Sequence, residues 1–233
     1  MNWPKVTICV PVRNGALTIQ RTLDSILAQD YSNFEVIVSD NCSNDDTASI
    51  VQEYAGQGVR YYYNPKLEMW GESNWNHVLS IAEGPLIALY HADDIYTPTM
   101  VRKQVEFLQA HEDVSSVFTM SRTIDEHDRP IRLGDFQLPE EYRGQDIFSF
   151  PDLLNATLKY STLTIVPTMM TRKSVIDKVG DFNWQQFCSA ADIDLYLRMA
   201  QFCPIGIIDE PLHRYRISAH QGTMQINRSR THL

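Results

Sequence analysis

Apolar and polar positions change period repeatedly along the first half of the chain. The run Val6–Val12 (VTICVPV) is almost continuously apolar, the pattern of a strand buried on both faces. Residues 16–29 follow with Leu17, Leu23, Ile26 and Leu27 at near-helical spacing. Phe34–Asp40 predicts a second strand. Asp45 and Asp46 then open a helix reaching Tyr54, their charges favourable at its N-terminus. Residues 59–64 predict a third strand, 73–84 a helix closed by Gly84, and 86–91 a fourth strand. Pro98 suits the first position of a helix running to Ala110, and 114–120 predicts a fifth strand. Strands and helices alternating at this spacing predict βαβ units: an α/β fold with a mainly parallel central sheet flanked by helices.

The second half is less regular. Residues 122–136 suggest a hairpin or excursion, 150–159 a short helix, 164–170 a strand and 171–180 a helical turn ending at Gly180. Residues 190–202 read as an amphipathic helix with Ile193, Leu197 and Ala200 near one face; 204–209 and 211–218 read as two more strands. No repeat or linker intervenes. The expectation is a single domain over 1–233: a nucleotide-like half over about 1–110, an elaborated half over about 111–220, and a polar tail at 221–233.

Composition narrows the function classes. Hydrophobic residues make up 43% of the chain, enough for a substantial core. A formal net charge of -9 argues against non-specific nucleic-acid binding, which needs a basic face. Cys9, Cys42, Cys188 and Cys203 form no CxxC pair and no zinc spacing with His, so a reduced, cytosolic protein is expected. The start MNWPKVTICVPV is too short and too soon polar for a signal peptide. No apolar run reaches the roughly 18–20 residues of a spanning helix, so any membrane contact is expected to be peripheral. The tail QINRSRTHL shows no clear stop, and the natural chain is expected to continue.

In an open parallel sheet, ligands bind beyond the carboxyl ends of the strands. Polar clusters fall at those ends: Arg13–Asn14, Asp40–Asn41 and His91–Asp94. In LIALYHADDIYTP an apolar strand runs straight into adjacent carboxylates, Asp93 and Asp94. Two neighbouring anions repel and resist desolvation, so a cation should offset them. Mg²⁺ commonly takes one or two carboxylates plus substrate phosphates. The alternative is a pair of acids at the start of the helix after Pro98. Asp40 can accept a hydrogen bond from a uracil or thymine imide, or simply end its strand in an Asx-turn. Asp192 and Asp194 stand two apart and cannot share a helical face. One can cap the helix while the other serves a sugar hydroxyl as general base; both are otherwise ordinary helix-start acids.

Three ordered segments together resemble the family 2 glycosyltransferases, inverting enzymes of the GT-A fold. The resemblance spans Val6 to about His220. VTICVPVRNGALTIQRTLDSILAQDYSNFEVIVSDNCSNDDT is similar to the family's opening, NHVLSIAEGPLIALYHADDIYTP to its acidic DxD-type motif, and VGDFNWQQFCSAADIDLYLRMA to its Gly-x-Phe segment and acceptor-side acid. The resemblance implies that Pro11, Val12, Arg13, Asn14 and Asp40 surround the nucleotide base, with Asn76 and His91 also on the nucleotide. It implies that Asp93 holds a divalent metal, Mn²⁺ or Mg²⁺, with Asp94 a secondary ligand and His220 a further candidate. Asp192 matches the catalytic base. Residues 1–110 become the nucleotide-binding half and 111–220 the acceptor half.

The sequence departs from the pattern at several positions. His91 stands where many members carry the first Asp of the motif; it can donate to the ribose or ligate a softer metal such as Mn²⁺. Ala191 replaces a frequent Glu, and Arg13 a common Tyr, although an Arg plane can stack on a base. Trp75 sits where a basic residue often precedes Asn76, leaving the diphosphate to the metal, Arg216 or His220. The expected activity is transfer of a sugar from a nucleoside-diphosphate donor, UDP favoured, to a glycan or lipid-linked acceptor, at the inner membrane face or in the cytoplasm. Two other readings stay open. One is a non-catalytic sugar-nucleotide or glycan-binding module. The other is a nucleotidyltransferase, for which PVRNGALT carries only one Gly of a phosphate loop.

Overall fold

The computed structural model describes residues 3–66, 72–131 and 134–218, so His220 and the tail at 221–233 lie outside the described residues. The apolar run forms β1 (Val6–Val12), buried at every position. It is flanked in parallel by β2 (Phe34–Asp40) and β4 (Leu86–Leu89), and β3 (Val59–Tyr63) lies parallel to β2. The crossovers are α1 (Ile19–Leu27), α2 (Thr47–Glu53) and α3 (Glu72–Ser80). This half follows the predicted alternation, except that α3 ends at Ser80 rather than at Gly84 and β4 at Leu89 rather than His91. A further difference is Leu17, which precedes α1 and is exposed; the buried face is Ile19, Thr22, Leu23 and Ile26.

Beyond β4 the sheet becomes mixed, in the order β3-β2-β1-β4-β8-β6-β9-β5, with β7 paired to β9. Here β5 is Ile95–Tyr96, β6 Ser116–Ile124, β7 Ile147–Phe148, β8 Met170–Arg172 and β9 Ile205–Arg216. The helices of this half are α4 (Met100–Ala110), α5 (Phe150–Tyr160), α6 (Lys173–Val179), α7 (Trp184–Phe187) and α8 (Ala191–Phe202). Two apolar clusters fill the two sides of the sheet.

Sequence and structure differ here for identifiable reasons. The strand expected over 164–170 is a 3-10 turn at Val166–Thr168 that reaches β8 only at Met170. Pro167 has no N–H to give a ladder. The two strands expected over 204–209 and 211–218 are one strand, β9, with register shifts against β6 on either side of the Met120–Pro211 pair. A bulge accommodates the missing proline donor and carries the strand onward. Past it, His213 lies opposite Ser121, and Arg214 opposite both Arg122 and Ile95. The buried face of α8 is Ala191, Leu195, Tyr196, Met199 and Ala200, rotated from the predicted stripe; Ile193 and Leu197 are half-buried. The excursion at 122–136 folds back antiparallel, with bridges Ser121–Phe136 and Ile124–Pro130.

Gly206 is where β9 meets α4. A Cβ there would lie 2.2 Å from Phe107 Cε1, closer than atoms can pack. Gly206→Ala is expected to destabilise the fold by about 1–3 kcal/mol through overpacking, measured as a lower midpoint in chemical denaturation. Adding Phe107→Leu should recover part of the loss.

Candidate functional site

Because β1, β2 and β4 are adjacent and parallel, their carboxyl ends open on one edge. The loops leaving β1 and β2 are tied together there. Asn14, in the left-handed region at φ 52°, donates its N–H to Ser43 Oγ at 2.8 Å and accepts from the Asn44 N–H at 2.9 Å. Gly15 N–H donates to Thr47 Oγ1 at 2.8 Å, and Ala16 N–H to Asp45 Oδ2 at 3.0 Å. Burial opposes the charge on Asp45, but hydrogen bonds from Thr47 and Ala16 outweigh it and hold the carboxyl below its ordinary range. A Cβ at Gly15 would sit 2.6 Å from Val12 Cγ2 and 3.9 Å from the Ala92 Cβ. Glycine lets the loop fold back over the Val12 side chain.

The residues expected around a base divide into two groups. Arg13 and Asn14 are exposed at the rim; Pro11 and Val12 are buried in β1, and the Val12 carbonyl accepts from the Asn41 N–H at 2.8 Å. Asp40 is buried, with Oδ1 accepting from the Ser43 N–H at 2.9 Å and Oδ2 from the Tyr61 hydroxyl at 2.8 Å. It thus fixes the turn that carries Ser43 and Asn44. Burial, reinforced by Asp40, pushes the Tyr61 hydroxyl pKa up and keeps it a donor.

The 91–94 turn is anchored from three sides. Thr22 on α1 donates its hydroxyl to the carbonyls of Ala92 (2.9 Å) and Asp94 (2.8 Å). The Tyr96 hydroxyl accepts from the His91 N–H at 2.7 Å and returns its proton toward the His91 carbonyl at 3.2 Å. From β9, the Arg216 N–H donates to Asp94 Oδ1 at 2.8 Å, and Arg216 Nε to the Asp93 carbonyl at 2.6 Å. Asp94 Oδ2 lies 3.0 Å from His213 Nε2 and 3.8 Å from His91 Nδ1. Asp94 and His213 are fully buried. Burial pushes the Asp94 carboxyl pKa up despite His91 and Arg216, and pushes that of His213 down despite Asp93. Burial also lowers His91, outweighing the opposing pull of Asp94 and Asp93.

His91, Asp93 and Asp94 each offer a ligand atom, all within 4.8 Å of one another. An imidazole with carboxylates beside it is a donor set that suits Mn²⁺ better than Mg²⁺. Asp94 is the most committed of the three, since Arg216 and His213 already engage it.

Two expected phosphate or nucleotide residues are used elsewhere. The buried Arg216 guanidinium also donates to the Asp125 carbonyl at 2.9 Å and pairs with Asp128 Oδ1 at 2.5 Å, so it braces the turn from behind instead of reaching a diphosphate. The Asn76 amide is spent on Phe182, donating to its carbonyl at 2.8 Å and accepting its N–H at 3.0 Å. It therefore ties α3 to the Gly-x-Phe segment. Trp75 packs on the His91 ring at 5.3 Å between centroids and edge-on to Phe182 at 5.1 Å.

Asp192 stands in the first turn of α8, half-buried, with Oδ1 accepting from the Ile193 N–H at 2.8 Å. Burial raises its carboxyl pKa above the ordinary value, against the backbone hydrogen bonds that lower it. Asp194 turns away and pairs with Arg198 at 2.7 Å. Arg198 also donates to the Val179 and Asp181 carbonyls, pinning the Gly-x-Phe segment under α8. Ala191 is buried in the core, where a glutamate would have to be desolvated. The supporting residues Thr22, Tyr96, Ser121, Arg198 and His213 carry no motif; the one signal in the sequence is a polar residue at an apolar periodic position.

The sequence matches the family model described as Glycosyl transferase family 2 over residues 7–180. MJ1057, an uncharacterized glycosyltransferase of Methanocaldococcus jannaschii, is 27% identical over 221 residues, covering 93% of this chain and 72% of its own. EpsE of Bacillus subtilis is 32% identical over 130 residues, covering 53% of this chain and 45% of EpsE. The crystal structure of S. aureus TarS 1–349 in complex with UDP is similar with a TM-score of 0.72 and 21% identity, over 92% of this chain and 61% of that one. The mannosyltransferase PcManGT from Pyrobaculum calidifontis, in complex with GDP-Man and Mn²⁺, is similar with a TM-score of 0.65 and 19% identity, over 98% of this chain and 61% of that one. At these identities the structural likeness establishes the GT-A fold. The chain spans less than two thirds of EpsE and of both crystallised chains. From the length and position of its family match, this chain belongs to glycosyl transferase family 2.

Proposed function

We propose that this chain transfers a sugar, with inversion, from a nucleoside-diphosphate donor to the hydroxyl of a glycan or lipid-linked acceptor. The observation that carries the reading is the convergence of the Arg13–Gly15, Asn41–Asn44 and His91–Asp94 segments on one sheet edge, with the 91–94 turn anchored from α1, β5 and β9. Relatives of the same fold have been crystallised with UDP, UDP-GlcNAc, and GDP-Man with Mn²⁺. A UDP-sugar is the preferred donor.

In this reading Arg13 offers its guanidinium plane to the base, while Asn14 and the loop tied to Ser43 shape the rim. Asp40 acts chiefly by fixing that loop. His91 and Asp93 hold a divalent cation, with Asp94 linking them to the protein behind. A cation held there would supply positive charge against the departing diphosphate. Asp192 accepts the proton of the acceptor hydroxyl as its oxygen attacks the anomeric carbon from the face opposite the leaving nucleotide. Its raised pKa makes it a better base than an exposed aspartate. Among the described residues, no helix is long and apolar enough to cross a membrane. A lipid-linked acceptor would be met at the inner face of the membrane.

Calorimetric titration with UDP, dTDP, GDP and CDP, each with and without Mn²⁺, tests the donor site. One nucleotide is expected to bind in a Mn²⁺-dependent way that Asp93→Asn loses. With donor and acceptor in hand, the same variant should lower turnover by orders of magnitude while its melting temperature stays near wild type. Binding of no nucleotide by folded protein would refute the reading.

The pH profile tests the base. Only ionised Asp192 can accept a proton, and its pKa is raised. The acid limb of kcat/KM should therefore fall away at a pH above the ~3.9 of an ordinary aspartate. Asp192→Asn should remove turnover but leave Mn²⁺-dependent nucleotide binding intact.

A further inference from the structure

One buried polar chain in the molecule has no place in the reaction just described. Ser121 on β6, His213 on β9 and Asp94 in the 91–94 turn are all inaccessible to solvent. Ser121 Oγ lies 2.7 Å from His213 Nδ1 in a hydrogen bond, and His213 Nε2 lies 3.0 Å from Asp94 Oδ2 as an electrostatic neighbour, without the alignment of a hydrogen bond. A neutral imidazole has one donor and one acceptor nitrogen. The carboxylate beside Nε2 places the proton there, because a lone pair facing an anion would be repelled. Nδ1 is then the acceptor, and the Ser121 hydroxyl donates to it.

The order serine, histidine, aspartate matches that of hydrolase triads, but the serine here cannot meet a substrate. With no route to solvent, this chain can act only on the conformation of Asp94. That carboxylate sits at a junction. Its other oxygen accepts the Arg216 N–H, and Arg216 Nε holds the Asp93 carbonyl. The His213 ring also packs on Tyr96 at 5.2 Å, and the Tyr96 hydroxyl holds both backbone groups of His91. His213 thus sits against Asp94, which accepts the Arg216 N–H, and against Tyr96, whose hydroxyl holds His91.

We propose that His213, oriented by Ser121, is a positioning residue that presets His91 and Asp93 for a divalent cation. The inference rests on the metal reading proposed above. Partners one layer behind metal ligands typically set affinity by 10–100-fold. Replacing His213 with an apolar residue would leave the buried carboxylate without its neighbour and free the turn to relax. Replacement by Gln keeps a donor that can reach Asp94.

The test is Mn²⁺ titration of the purified chain in the presence of UDP or GDP, with free Mn²⁺ read by electron paramagnetic resonance and melting temperature measured alongside. His213→Leu should weaken Mn²⁺ binding about 10–100-fold, Ser121→Ala severalfold, and His213→Gln should recover most of the loss. A His213→Leu protein that melts earlier but binds Mn²⁺ like wild type would show a merely structural role and overturn the proposal. If His213→Leu does not fold, Ser121→Ala decides: unchanged Mn²⁺ affinity overturns it and weakened affinity sustains it. Failure of the wild-type chain to bind Mn²⁺ with either nucleotide overturns the metal reading as well, which separates the two failures.

Discussion

A carboxylate with no access to water needs partners, and Asp94 draws much of the site around itself to obtain them. Its two oxygens face the Arg216 backbone and the His213 ring, both from β9, a strand more than a hundred residues later in the chain. The same contacts leave Asp93 and His91 at a sheet edge in a defined geometry. A buried acid of this kind adds little to stability by itself, since desolvation offsets much of the attraction. Its effect is on uniqueness: one backbone path lets 91–94, 213 and 216 meet.

The remainder of the edge is built on the same economy of backbone groups. The β1 and β2 loops have few apolar residues, yet they are held by side chains that accept each other's N–H groups: Ser43, Thr47, Asp45 and Asn14. Asp40 closes the β2 turn from below. On the opposite side, Asn76 and Arg198 fix the segment before α8, which determines where Asp192 begins its helix. Each half thus holds its loop segment through polar side chains paired with backbone groups. Residues that resemble binding groups in a linear reading, Asn76 and Arg216 among them, serve as braces because buried amides and guanidinium groups must satisfy several donors at once.

The first half of the fold was legible because its information is local. A strand such as Val6–Val12 announces itself by continuous burial, and α1 by its apolar stripe, whatever else surrounds them. The acids at 93 and 192 could be singled out by their place at a strand end and a helix start. The second half was less legible. Pro167 turned an apolar run into a 3-10 turn, Pro211 sits within a bulge that joins two runs into one strand, and α8 buries Leu195, Tyr196 and Met199 where Ile193 and Leu197 were expected.

The sequence by itself determined the α/β alternation, the sheet edge at which the polar loops gather, and the residue types there that have the chemistry to bind a cation or accept a proton. Each follows from short-range periodicity and from the chemistry of single side chains. The tertiary structure alone decided which of those side chains face the site. Whether Asp94 is a ligand or an anchor, and whether Arg216 reaches outward or back, depends on His213, Ser121 and Asp128. These contacts join β6, β9, the 125–128 turn and the 91–94 turn across separations of roughly 90 to 120 residues. No local pattern encodes such pairings, because they arise from the need of buried polar groups for partners once the sheet has assembled.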